Sequence, residues 1–122
     1  MNKFIKIKER LKELIENQYL IIDGATGTEL QKKEIKKEEW IINGNNIQGC
    51  NEILNINAPH IMKEVHIDYL NAGANIIKTN SFGAIPSVLG EYKGLKNAKA
   101  NTIFQKWLMK SQKNLQSYRK KL

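Results

Sequence analysis

Cysteine is nearly absent from this chain. The single Cys50 cannot close an internal disulfide, and alone it cannot hold a structural zinc. This leaves the cytoplasm as the expected compartment. Long apolar runs are also missing: nothing in the sequence approaches the ~18–20 apolar residues needed to cross a bilayer. The N-terminal MNKFIKIKERLKEL has neither the apolar segment nor the small-residue cleavage site of a secretory signal. The glycine-rich stretch near residue 24 lacks the spacing of a dinucleotide fingerprint and the Gly-Lys-Ser/Thr ending of a P-loop. No internal repeat is evident. Acidic residues are outnumbered, 12 against 20 basic ones, for a net charge of +8. That excess invites a nucleic-acid reading. However, lysine greatly outnumbers arginine, and Lys32-Lys33 and Lys36-Lys37 are interleaved with Glu34, Glu38 and Glu39. The Arg119-Lys120-Lys121 tail is the other dense basic stretch. Charge spread over solvated faces is the stronger reading, and nucleic acid is the lesser one.

The apolar residues that are present fall into periodic segments. Phe4, Ile7, Leu11, Leu14 and Ile15 form one stripe, which predicts an amphipathic helix over 3–17 that docks on a core. Tyr19-Leu20-Ile21-Ile22-Asp23 is a continuous run and predicts a strand buried on both faces, as in parallel sheets. Gly24 and Gly27 follow, where the backbone can turn sharply and approach a ligand. Residues 31–48 read as a polar loop with one helical turn before Trp40 and turn chemistry at Asn43-Gly44-Asn45-Asn46.

The organising stretch is Gly49–Ala84. Asn57 is placed to cap a helix with Pro59 in its first turn, and Ile61, Met62, Val65, Tyr69 and Leu70 form its apolar face. Gly73 suits a left-handed C-terminal cap, and Ala74–Asn80 reads as a short β-branched strand leading into a turn at Ser81-Phe82-Gly83. Pro86 opens a further short helix ended by Gly94, and a long helix is expected from Asn97 onward, with Trp107 on its apolar face. A helix feeding a buried strand is half of an α/β repeat, and such folds place chemistry at the C-terminal ends of their strands.

Several motifs follow one another in order: Asp23-Gly-Ala-Thr-Gly-Thr28, Gly49-Cys-Asn-Glu-Ile-Leu-Asn55, Ala58-Pro-His-Ile61 before a helix carrying His66 and Tyr69, and Ala72-Gly-Ala-Asn-Ile-Ile-Lys-Thr-Asn-Ser-Phe-Gly-Ala84. Together these resemble the homocysteine S-methyltransferase family, and most closely the N-terminal homocysteine-binding module of cobalamin-dependent methionine synthases. The resemblance implies an α/β fold, the N-terminal portion of a (β/α)8 TIM barrel with two parallel strands and flanking helices. Residues 1–18 would form a preceding amphipathic helix and 19–122 a partial homocysteine-binding domain. It implies zinc-dependent methyl transfer to homocysteine, in which the metal lowers the thiol pKa so that a thiolate attacks. The family's zinc cysteines come from late barrel strands, and Cys50 is not at that position.

Carried over by position, Asp23 and Gly24 would contact the amino-acid part of homocysteine, with Thr79 and Asn80 lining the same mouth. The resemblance assigns no catalytic residue and no metal ligand within this chain. Lys78 departs from the family pattern, which has an acid or amide there, and needs an anion such as Asp23. His66 reads better as a packing residue than as a base, and Glu52 as a carboxylate that organises its loop. A closed eight-stranded barrel typically takes about 250 residues. The chain is therefore expected to be a fragment inactive alone, or half of a split enzyme completed by the remaining barrel as a second chain. The sites for methyltetrahydrofolate with cobalamin, or for another methyl donor, would lie elsewhere. The alternative is a non-catalytic module that docks a partner protein or, less favoured, nucleic acid; no membrane partner is expected.

Overall fold

The computed structural model describes residues 2–92 and Leu95. The expected helix stop at Gly94 and the helix from Asn97 onward, with Trp107, lie outside the described residues. Helix α1 (Lys3–Asn17) begins where the Asn2 side chain accepts a hydrogen bond from the Phe4 N–H at 3.1 Å. Its stripe is not used as expected. No α1 residue is buried, and Phe4 and Ile15 are 77% and 60% exposed. Among the described residues nothing covers this face.

The expected parallel pairing exists, but only as a single bridge between Ile22 and Ile76. The Asn75 N–H donates to the Ile21 carbonyl at 2.8 Å, and the Asp23 N–H donates to the Ile76 carbonyl at 2.9 Å. The Asn75 side chain extends the contact by accepting from the Ile21 N–H. Burial of this run on both faces is not observed: Tyr19 is fully exposed and Ile21 and Ile22 are more than half exposed. A lone parallel pair is the weaker kind of ladder and satisfies one edge of each backbone, so it shortens to its best-held point.

Regular strands occur instead inside the expected loop. After a 3-10 turn at Lys37–Trp40, β1 (Ile41–Ile42) and β2 (Asn45–Asn46) pair antiparallel. Asn43 and Gly44 join them with φ of 48° and 75°, the backbone of a two-residue hairpin turn whose twist matches its strands.

The core lies under three helices: α2 (Thr26–Gln31), α3 (Leu54–Asn57, preceded by a 3-10 turn at Asn51–Ile53) and α4 (Pro59–Asn71). Leu30, Trp40, Ile47, Ile53, Leu54, Ile61, Met62 and Val65 are all buried together. The α4 face forms as the spacing predicts, but its cap does not. The Ncap residue is Ala58, while Asn57 ends α3 and donates its amide to the carbonyls of Glu39 and Ile41, both at 3.0 Å. Pro59 at the first position needs no N–H partner, and Asn57 is worth more tying the hairpin entry to α3. Gly73 has φ 105°, and the Ala74 N–H reaches back to the Tyr69 carbonyl at 3.0 Å. This left-handed cap turns the chain from α4 into the bridge segment. Helix α5 (Pro86–Leu89) closes the described region. The result is a mixed architecture of helices, a small antiparallel strand pair and one parallel bridge. No helix among the described residues is long and apolar enough to cross a membrane.

Candidate functional site

Parallel pairing sends Asp23 and the 78–80 segment out of the same end of the Ile22–Ile76 bridge. Asp23 is buried there, its side chain only 3% exposed. One carboxylate oxygen, Oδ2, accepts the Lys78 backbone N–H at 3.0 Å, and Oδ1 pairs with the Lys78 ammonium. The same ammonium donates to the Asp23 carbonyl at 2.8 Å and the Gly24 carbonyl at 3.3 Å. Lys78 therefore finds the anion its position demands. It is not a buried cation, however, because its side chain remains 53% exposed.

Gly24 serves a different purpose from the sharp turn expected of it. Neither Gly24 nor Gly27 has positive φ, and Gly27 lies within α2. A Cβ on Gly24 would sit 2.9 Å from the Tyr69 hydroxyl oxygen. That hydroxyl donates to the Ala25 carbonyl at 2.8 Å, pinning the 23–25 loop to α4. Any larger residue here would push on the Tyr69 ring, so glycine leaves room for that hydrogen bond. His66, one turn earlier on α4, is half-buried. Burial pushes its imidazole below the usual value, while the nearby Asp23 carboxylate works against that shift.

Asn80 joins a second cluster. It is buried, and its amide donates to the Asn51 carbonyl at 2.9 Å and to Asn55 Oδ1 at 3.1 Å, with Met62 Sδ at 3.3 Å. Asn55 returns a bond from Nδ2 to the Asn80 carbonyl at 2.7 Å. Thr79 between the clusters is exposed, its hydroxyl sharing a 2.7 Å bond with Ser81. The structure thus brings Asp23, Gly24 and Lys78 into one constellation, leaves Thr79 at the rim, and commits the Asn80 amide to holding the loop. Asn51 and Asn55 escaped the sequence reading. Asn51 contributes only its backbone carbonyl, which no side-chain pattern marks, and Asn55 contributes its side-chain amide from within the Gly-Cys-Asn-Glu-Ile-Leu-Asn motif.

Glu52 organises its loop, accepting the Gly83 N–H at 2.7 Å. Cys50, two residues before it, is 1% exposed. Burial and the Glu52 carboxylate push its thiol up to about 11. At pH 8 its alkylation should run about a hundredfold slower than that of an unfolded-chain cysteine, reflecting the lost thiolate alone. Because the unfolded thiol ionises first, Cys50 should also subtract stability as pH rises from about 9 towards 11. Timed alkylation with and without urea checks the first point, and rapid labelling of folded protein would refute it.

The described residues do not fit zinc: no group of three or more His, Cys, Asp or Glu side chains among them could hold a metal. Their basic patch is also partly neutralised. Lys33 pairs with Asp68 at 2.5 Å and Glu64 at 3.7 Å, and Lys32 pairs with Glu29 at 2.6 Å. An open cleft of about 510 Å³ lies between α2 and the hairpin entry, lined by Leu30, Lys33, Trp40 and Asn51 among others. None of the four expected contact residues lines it.

Comparison with known proteins gives the constellation a context. The Homocysteine S-methyltransferase family profile matches residues 20–119. Methionine synthase of Mycobacterium leprae (strain TN) is 38% identical over 82 residues, covering 67% of this chain and 6% of that protein. Methionine synthase of Mycobacterium tuberculosis (strain ATCC 25618 / H37Rv) is 35% identical over 82 residues, with the same coverage of 67% and 6%. The matched segment thus spans only a small part of these relatives' length. No solved structure matches the chain. With a family profile covering most of the sequence from the first bridge residues onward, the chain belongs to the homocysteine S-methyltransferase family.

Proposed function

We propose that this chain supplies the amino-acid-binding corner of a homocysteine S-methyltransferase barrel, residues 19–122 forming the barrel part and 1–18 a helix that precedes it. The observation that carries the reading is the buried Asp23 carboxylate at the end of the parallel bridge, inside the family-matched segment. Asp23 takes the ammonium of homocysteine, and N–H groups of the loop opened by Gly24 face its carboxylate. Thr79 stands at the rim and Asn80 fixes the segment that carries it. The chain works in the cytoplasm as part of methionine formation. It does not complete the reaction alone, because the zinc ligands and the methyl-donor site come from outside it.

The uncovered apolar surface supports a further part of this reading. Phe4 and Ile15 on α1, Ile21 and Ile22 beside the bridge, and the fully exposed Phe82 form faces of the kind that neighbouring barrel elements cover. In this reading those elements are the remaining barrel, supplied from outside residues 1–122.

Co-expression tests both parts. The chain alone, given zinc, homocysteine and a methyl donor, should make no methionine. Paired with a methionine synthase homocysteine module that lacks the matched segment, it should restore turnover, and Asp23→Ala should abolish the restoration. Turnover by the chain alone, or restoration that ignores Asp23→Ala, overturns the proposal.

A further inference from the structure

The Lys78 ammonium has the surroundings that a ligand's ammonium would need. A primary ammonium carries three N–H donors. Here they meet Asp23 Oδ1, the Asp23 carbonyl and the Gly24 carbonyl. The anion at the bottom of this cluster is buried, whereas the lysine side chain is 53% exposed. The arrangement is a fixed acceptor cup closed by a tether that lies open to solvent. The cup does not depend on the tether for its shape, since the Lys78 backbone N–H independently holds Asp23 Oδ2 at 3.0 Å.

We infer that Lys78 is a built-in occupant of a primary-ammonium site formed by Asp23 and Gly24, so that the site admits an amino acid's ammonium only when Lys78 swings out. The identity of that amino acid as homocysteine rests on the function proposed above; the ammonium site itself does not. Self-occupancy lowers apparent affinity by the fraction of time the cup stands open. Removing the ammonium while keeping the backbone leaves a buried carboxylate in need of a cation, which a small external ammonium can supply.

The experiment uses the full chain and follows the amide resonances of Asp23 and Gly24. In Lys78→Ala, methylammonium should shift both saturably, and tetramethylammonium, which has no N–H to donate, should not. Wild type should show no saturable shift over the same range. Lys78→Ser provides a second small side chain. Should either variant unfold, refolding by methylammonium but not tetramethylammonium is the expected result. Variants that respond no more than wild type, or respond equally to both cations, overturn the inference. L-homocysteine forms a separate arm and should bind the variants about tenfold more tightly than wild type. If methylammonium enters and homocysteine does not, the ammonium site stands and the homocysteine reading falls. If homocysteine perturbs wild type and variants equally at Asp23 and Gly24, the occupancy inference falls and the homocysteine reading stands.

Discussion

Leu54→Ala should lower the unfolding free energy by about 2–5 kcal/mol, the range for emptying a leucine-sized space in a core that cannot collapse around it. Leu54 is completely buried, packed in the cluster that holds Cys50, Ile53, Ala58, Ile61 and Val65. It opens α3, a helix of 4 residues and so far too short to persist by its own hydrogen bonds. Helix α3 therefore exists because Leu54 is anchored, and through Asn55 it carries one wall of the Asn80 cluster. Small domains have only about 5–15 kcal/mol in total, so this loss alone should move the urea midpoint far to the left or remove the cooperative transition. Ile5→Ala on the uncovered α1 stripe, where Ile5 is 48% exposed, should stay within about 0.5 kcal/mol in the isolated chain. Urea titration followed by circular dichroism separates the cases. Equal effects at Leu54 and Ile5 would show that the core is not where the structure puts it.

Asn80→Ala should cost about 2–3 kcal/mol, although it removes only one small amide. Its Nδ2 serves the buried Asn55 Oδ1 and the half-buried Asn51 carbonyl, and an acceptor left dry without a donor loses roughly 1–3 kcal/mol. Asn80→Asp should be worse than Asn80→Ala. It is nearly the same size, yet it replaces the donor with a buried charge facing those two acceptors. The Asn55 and Asn80 side chains act as one unit, so Asn55→Ala combined with Asn80→Ala should cost clearly less than the two single effects added together. A double-mutant cycle by urea unfolding measures this coupling. Strict additivity, or an Asn80→Asp protein as stable as wild type, would refute the network. In the family reading, the functional consequence is a loosened 78–80 segment, which is the segment that brings Lys78 onto Asp23.

Much of the local structure was legible before any coordinates. The apolar face of α4, its proline start, its glycine stop and the turn after Asn80 follow from spacing and backbone chemistry that neighbours in sequence impose on each other. The Asp23 position at a strand end was legible for the same reason, because an apolar run ended by an acid and a glycine marks where a chain leaves a sheet. The pairing of Lys78 with Asp23 was legible from charge, although the burial that argued for it is absent, since the Lys78 side chain is 53% exposed.

Other features depend on which segments meet. No periodicity reveals that Gly24 is there to clear the Tyr69 hydroxyl, or that the Asn80 amide is spent on Asn51 and Asn55. Those contacts join residues tens of positions apart. Asn57 does not cap α4 because a local cap competes with two distant carbonyls for its side chain, and the distant pair wins. The run at Tyr19–Ile22 predicts burial on both sides and is exposed instead, because apolar residues record what a chain can bury and not what is present to bury them. By itself, then, the sequence determined the apolar face of α4, the turn positions, the family and the acid at the end of the Ile22 run. Only the tertiary structure decided which polar groups were already satisfied, since a hydrogen bond is fixed by the arrival of its partner in space and not by either residue alone.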